Sequence, residues 1–317
     1  MTVGSFIISL DCEAKWGMAD HLGPRHQTVL VDERIRQVYR QIVALFGDFD
    51  VSATFAFVAI FLMDRRGGKD LLDRLDAPEG SALWRWLSAY REEWETGAAQ
   101  GWHAPELAEI VGQAGHEIAA HGLTHLPLSQ ADVTDAEAVR EIAGAREAMT
   151  DMGLEPPTYI FARNEQKCVS AIADAGYLGF RESRAASSRL LTLAQEFVPS
   201  MSSQGHIDTI ARPTGSTIPV PAGLFMNFHF GPRALVPRPV TVSRWKRSLD
   251  HTSATGGVTH LWFHPHNLLF DPGATATLRP ILAHAARLRD RGALHIETQA
   301  QYAARRLEGG HQPKSRQ

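Results

Sequence analysis

The stretch His116–His125 reads HEIAAHGLTH, which sets three of the chain's 15 histidines within ten positions and puts His121 and His125 four residues apart. Two imidazoles at that spacing can reach one metal ion, either from one face of a helix or from a tight loop. A polar helix face would show the same spacing, so the pair acquires chemical meaning only with a third ligand from elsewhere, ordinarily a carboxylate. Asp11 and Glu13 in LDCE are the candidates. Side chains alternate faces along a strand, so these two carboxylates point one way and Cys12 the other. Beside two histidines they suit two tasks, one as metal ligand and the other as general base.

These residues need elements to position them. Phe6–Leu10 (FIISL) is a continuous apolar run that predicts a buried strand ending at Asp11. Ile35, Val38, Ile42 and Leu45 recur at helical spacing before Gly47, and Val51–Leu62 opens as a second buried strand. The chain thus begins β-α-β, the pattern of parallel strands. Residues 64–105, with Trp84, Trp86, Trp94 and Trp102, are charged and poor in strand signal and predict a mostly helical insertion. EIAA then leads into the histidines, a helix over 135–153 follows, TYIFA (158–162) is a strand, and a helix lies near 167–176. Residues 195–245 are loop-rich, THLWFH (259–264) is a strand, and an amphipathic helix near 276–292 closes the pattern. Alternating βα units ending in one closing helix predict a distorted (β/α) barrel, about seven strands in one domain over 1–307, with a disordered tail over 308–317.

Catalytic groups of such barrels sit at the C-terminal ends of the strands. Four predicted strands end in ionisable or amide side chains: Asp11 and Glu13; His121 and His125; Arg163, Asn164 and Glu165; His264, His266 and Asn267. Any one is unremarkable, since strand ends meet solvent; the coincidence of four points to a site. Trp16 and Trp262 stand where an aromatic could touch a ligand, while the remaining tryptophans suit packing. Composition leaves room for this and closes other avenues. Hydrophobic residues are 44% and charged residues 21%, ordinary for a globular protein, and the net charge of −3 argues against a nucleic-acid partner. There is no apolar run of the ~20 residues that span a bilayer. Two cysteines, Cys12 and Cys168, and an N-terminus without the features of a signal peptide predict a cytoplasmic location. Nothing in the sequence indicates an oligomeric state.

In order along most of the chain, the sequence resembles the polysaccharide deacetylase family, carbohydrate esterase family 4, of the chitooligosaccharide-deacetylase-like type. SLDCE (9–13) stands at the family's first motif, GHEIAAHGLTH (115–125) at its H-[S/T]-x-x-H motif with Gly122 in place of Ser or Thr, and LWFHP (261–265) at its last. ATFAFV (53–58) is similar to the family's second strand, whereas of the R-x-P-Y motif only Arg163, in FARNE, remains. The resemblance implies one divalent cation, zinc first with iron, cobalt or manganese as alternatives, held by Glu13, His121 and His125. It further implies Asp11 as base, Arg163 paired with Asp11, and His264 as the acid that protonates the leaving amine, with Trp16, Trp262, His266 and Asn267 near the substrate. The expected reaction is removal of an N-acetyl or N-formyl group from an amino-sugar derivative, an intermediate of glycan or surface-polysaccharide synthesis. Two rival expectations are hydrolysis of a non-sugar C–N bond, as in the allantoinase-like branch, and a non-catalytic carbohydrate-binding descendant.

Overall fold

The computed structural model describes residues 3–97, 99–183 and 216–310. Nine strands among them form one parallel sheet: β1 (Gly4–Cys12), β2 (Thr54–Phe57), β3 (Glu117–Ala120), β4 (Thr158–Tyr159), β5 (Gly179–Arg181), β6 (Ile218–Val220), β7 (Leu224–Phe225), β8 (Val258–Phe263) and β9 (Leu294–Glu297). Their order is β6-β5-β4-β3-β2-β1-β8-β7, and β9 pairs with β1. β1 is the hub. Its one edge carries β8 over Ser5–Leu10, and its other edge is shared by β9 along Gly4–Ile7 and β2 along Ser9–Cys12. The sheet curls into a half-barrel of the (β/α) kind that the alternation predicts, with no pairing between its end strands β6 and β7 among the described residues.

Two-fold alternation along β1 sorts its side chains. Phe6, Ile8, Leu10 and Cys12 enter the main apolar core, to which the helix Asp32–Gly47 contributes Ile35, Val38, Tyr39, Ile42, Leu45 and Phe46 at helical spacing. Ile7 faces inward with Ile218, Val220, Val258, Tyr302 and Ala303, so the C-terminal helix Gln299–Gly310 plugs the barrel interior. Above Ile7 the inward positions turn polar: Ser9, Asp11, then Glu13 just past the strand. A dry plug below and a polar layer above place the chemistry at the C-terminal ends of the strands.

The helical insertion is present as Arg65–Arg74, Ala82–Trp86 and Ser88–Glu95. It is tied to the turn after β1 by Lys15, which is 1% exposed and donates to Glu93 at 2.6 Å, while Trp102 Nε1 donates to the same carboxylate at 2.8 Å. Four strands were not individually legible, β5, β6, β7 and β9, because none of them lies in a long apolar run. Within the stretch expected to be loop-rich, 195–215 lies outside the described residues, and the remainder holds β6, β7 and the start of the helix Arg238–Thr255. The expected tail 308–317 overlaps the last helix, which runs to Gly310; residues 311–317 lie outside the described residues.

Candidate metal and hydrolytic site

His121 leaves β3 directly. Its backbone N–H donates to Phe57 O at 2.8 Å and its Nδ1 lies 2.9 Å from Ile160 O, so a proton on Nδ1 satisfies that carbonyl and leaves the Nε2 lone pair facing the barrel axis. The segment to His125 is a loop, not a helix. It is stabilised by a buried carboxylate: Glu141, from the helix Asp135–Asp151, accepts from Leu123 N and Thr124 N at 3.0 Å and from Thr124 Oγ1 at 2.6 Å. Gly122 takes φ +87°, and a β-carbon there would stand 3.0 Å from Glu141 Oε2. A left-handed conformation against a carboxylate explains glycine where relatives of this pattern carry Ser or Thr. Trp86 backs the loop, donating from Nε1 to Thr124 O at 2.8 Å and stacking on the His125 ring at 5.9 Å.

Glu13 meets these histidines. Its Oε2 lies 2.7 Å from His125 Nε2 and 3.3 Å from His121 Nε2, and the two nitrogens are 3.2 Å apart. A side chain at Gly17 would collide with the Glu13 carboxylate, so the turn after β1 is shaped to admit it. Burial pushes the Glu13 pKa up, but His264, His125 and His121 override it and hold the carboxyl well below its ordinary value. Burial also opposes charge on His121, yet Glu13 and Asp11 raise its pKa. Among the described residues, Glu13, His121 and His125 are a buried set whose donor atoms all lie within 4.8 Å of one another. Zinc bonds of ~2.0–2.2 Å would put tetrahedral donors roughly 3.3 Å apart, so small outward movements admit an ion. Donor chemistry and separation both fit a divalent cation.

Asp11 sits alongside, with its Oδ2 3.9 Å from His121 Nε2. Its partner is Arg181, at the end of β5, which grips both carboxylate oxygens at 2.7 Å. Arg181 is 1% exposed. Its other N–H groups go to Ser9 Oγ at 3.1 Å and to Asn164 Oδ1 at 3.1 and 2.8 Å, and its plane lies over Trp262 at 4.6 Å. Ser9 in turn meets His260 Nε2 at 2.8 Å. Burial would raise the Asp11 pKa; Arg181, with help from His121 and His264, instead lowers it, so Asp11 stays ionised.

The pairing expected between Arg163 and Asp11 is not made. Arg163 takes φ +53° and turns outward to Asp20, 2.6 Å away, with its guanidinium over Trp86. The residue that reaches Asp11 comes one strand later, because the turn after β4 sends Asn164 rather than Arg163 inward. Trp16 is likewise corrected: it is 0% exposed, donates to Trp102 O at 2.7 Å and stacks with Tyr90, a packing residue under the insertion. His264 closes the site opposite the histidine loop, its Nε2 3.3 Å from Glu13 Oε1 and its Nδ1 3.2 Å from Asn267 Oδ1. Asn267 thus orients His264 instead of projecting to a ligand. His266 is buried and stacks under His264 at 5.0 Å, not on the open surface. Trp262 is partly exposed beside His264 and Phe225.

Sequence reasoning missed Arg181, Glu141, Gly17 and Trp86. Only Arg181 left a usable signal: GFRES follows a helix capped by Gly176, where βα alternation calls for another strand with a polar end.

The polysaccharide deacetylase family model matches residues 22–183. The chain belongs to the polysaccharide deacetylase family. That span holds His121, His125 and Arg181; Asp11, Glu13 and His264 lie outside it and rest on the geometry above. Among solved structures, a Mycobacterium smegmatis protein assigned as a polysaccharide deacetylase is similar with a TM-score of 0.63 at 18% identity, over 99% of this chain and 94% of its own. The allantoinase Puue is similar with a TM-score of 0.58 at 14% identity, and a Pseudomonas aeruginosa PAO1 protein assigned as a polysaccharide deacetylase with 0.58 at 13%; each match covers 97% of this chain and 91% of the other. These likenesses establish the fold. No curated protein matches the chain by sequence. Among the described residues no helix is long and apolar enough to cross a membrane.

Proposed function

We propose that the chain is a metal-dependent N-deacylase that removes an acetyl or formyl group from an amino-sugar derivative, with zinc as the favoured ion. The observation that carries this reading is the convergence of Glu13, His121 and His125 beside an ionised Asp11 that is itself held by Arg181. A divalent ion bound there would supply Lewis acidity and lower the pKa of water from ~15.7 toward ~7. Glu13, His121 and His125 would hold it, and the carbonyl of Ile160 would fix the His121 tautomer. Asp11, ionised and oriented by two hydrogen bonds, takes the proton of the attacking water. His264, oriented by Asn267 and beside Glu13, delivers a proton to the nitrogen as the C–N bond breaks. Trp262, with one face under Arg181, and Phe225, with one under Arg233, are partly exposed beside His264 and would flank a bound sugar ring. Family membership supports an amino-sugar substrate, and an intermediate of glycan or surface-polysaccharide synthesis is the class we favour.

The test is a panel of N-acetyl- and N-formyl-hexosamine derivatives, with acid release followed by liquid chromatography–mass spectrometry. Acyl release from at least one member is expected, lost on chelation and restored by Zn²⁺. Ring opening of allantoin, with no acyl release from any sugar, would move the activity to the cyclic-amide branch.

A further inference from the structure

Glu13 presents its two oxygens to two different donor sets. Oε2 faces His121 and His125; Oε1 faces His264, 3.3 Å from its Nε2. A second group, Glu13, His264 and His266, also brings its donor atoms within 4.8 Å of one another. His264 Nδ1 is occupied by Asn267 Oδ1, which leaves Nε2 as the free nitrogen. The His266 ring lies nearly parallel to that of His264, 20° from coplanar and 5.0 Å between centroids. His266 is 7% exposed, and its buried Nδ1 has no hydrogen-bond partner. A buried imidazole with an unmet nitrogen beside a carboxylate has a cost in free energy that hydrogen bonding has not offset. Two imidazoles and a carboxylate are donor types that suit a borderline-soft divalent cation, and one of the near-parallel rings must turn to bring both lone pairs onto one ion.

We infer that Glu13 bridges two cation positions, and that Glu13, His264 and His266 form a second site for a divalent transition metal such as Zn²⁺. This rests on the proposed deacylase reading of the first site. The second site is the weaker of the two, because it draws on one oxygen of a carboxylate already shared and on a partly exposed His264. Occupancy has a functional consequence. With its Nε2 lone pair on a cation, His264 has no proton to give the leaving nitrogen. A second ion therefore inhibits the reaction that the first one supports, and rising zinc switches the enzyme on and then off.

The experiment is equilibrium dialysis of the apo full chain against rising Zn²⁺, with bound metal counted by mass spectrometry and folding checked by circular dichroism. The wild type should bind one ion tightly and a second in a weaker, separate step. His266→Ala and His266→Gln should each retain the tight ion and lose the weaker step; the glutamine keeps the volume should the alanine variant unfold. His121→Ala should lose the tight step. Saturation of the wild type at one ion, or a weaker step that survives in a folded His266 variant, overturns the second site. A wild type that binds no ion tightly contradicts instead the metal reading of the first site.

Discussion

Asp11, Glu13 and His264 lie close together yet are asked for different things, and single substitutions separate them. Glu13→Ala removes the ligand common to both histidines and should strip the ion. Asp11→Asn should retain the ion and lower kcat by about 10²–10⁴-fold, the range for a lost general base. His264→Ala should do the same through the proton it no longer delivers. Metal analysis beside steady-state kinetics distinguishes the cases; loss of the ion in Asp11→Asn with retention in Glu13→Ala would exchange the two roles. The two arginines give a sharper contrast. Asp11 has its pKa lowered by Arg181 against the pull of burial. In Arg181→Met that counter-charge is gone and burial dominates, so the Asp11 pKa rises. Asp11 must be ionised to act as base, so activity should be lost at a higher pH on acidification than in the wild type, with the metal retained. Arg163→Ala breaks a partly exposed pair with Asp20, worth ~0–1 kcal/mol, and a contact over Trp86, neither of which touches Asp11, and should leave the acid limb in place. A shifted acid limb in the Arg163 variant and none in the Arg181 variant would restore the pairing that the family resemblance implies.

Much of the site was legible at the level of elements where a long apolar run delivers a polar end. FIISL into Asp11 and Glu13, and THLWF into His264, are of this kind, and the structure places each at the mouth of the barrel. GFR lies in no such run, and β5 therefore hid Arg181. The identity of the Asp11 partner was also beyond periodicity, since a left-handed turn at Arg163 and Asn164 decides which side chain goes inward. Trp16 was misjudged because its exposure depends on an insertion distant in sequence, whose Tyr90 and Trp102 enclose it. The histidine loop depends on its neighbours in the same way. Glu141 is the acceptor for two backbone N–H groups and a hydroxyl there, and each buried polar group left unmet costs ~1–3 kcal/mol. Glu141→Ala should therefore lower stability by roughly 2–4 kcal/mol and weaken metal binding without touching a ligand. Chemical denaturation and metal titration of the same sample check this. A variant as stable as the wild type, with unchanged metal affinity, would show that the loop stands without its carboxylate.

At the scale of the molecule, one half of the barrel is an apolar plug around Ile7 and Tyr302, and the other is a polar layer that gathers carboxylates from β1, imidazoles from β3 and β8, and the Arg181 guanidinium from β5. Metal uptake is coupled to protons there. His121 has its pKa raised beside Glu13 and Asp11, so a proton competes with an incoming cation for its Nε2 from a higher pH than at an ordinary imidazole. Affinity for Zn²⁺ should therefore fall as pH drops through the raised His121 value, a dependence visible by titration calorimetry in buffers of different ionisation enthalpy. The most direct test of the whole account is acyl release from the amino-sugar panel by one preparation, measured as isolated, after chelation and after Zn²⁺ is returned. The account predicts acetate or formate from at least one amino sugar, abolished by chelation, restored by about one equivalent of zinc, and absent throughout in Glu13→Ala. Turnover that persists in fully metal-free protein, or an ion-loaded protein that releases no acyl group from any amino sugar, would contradict it.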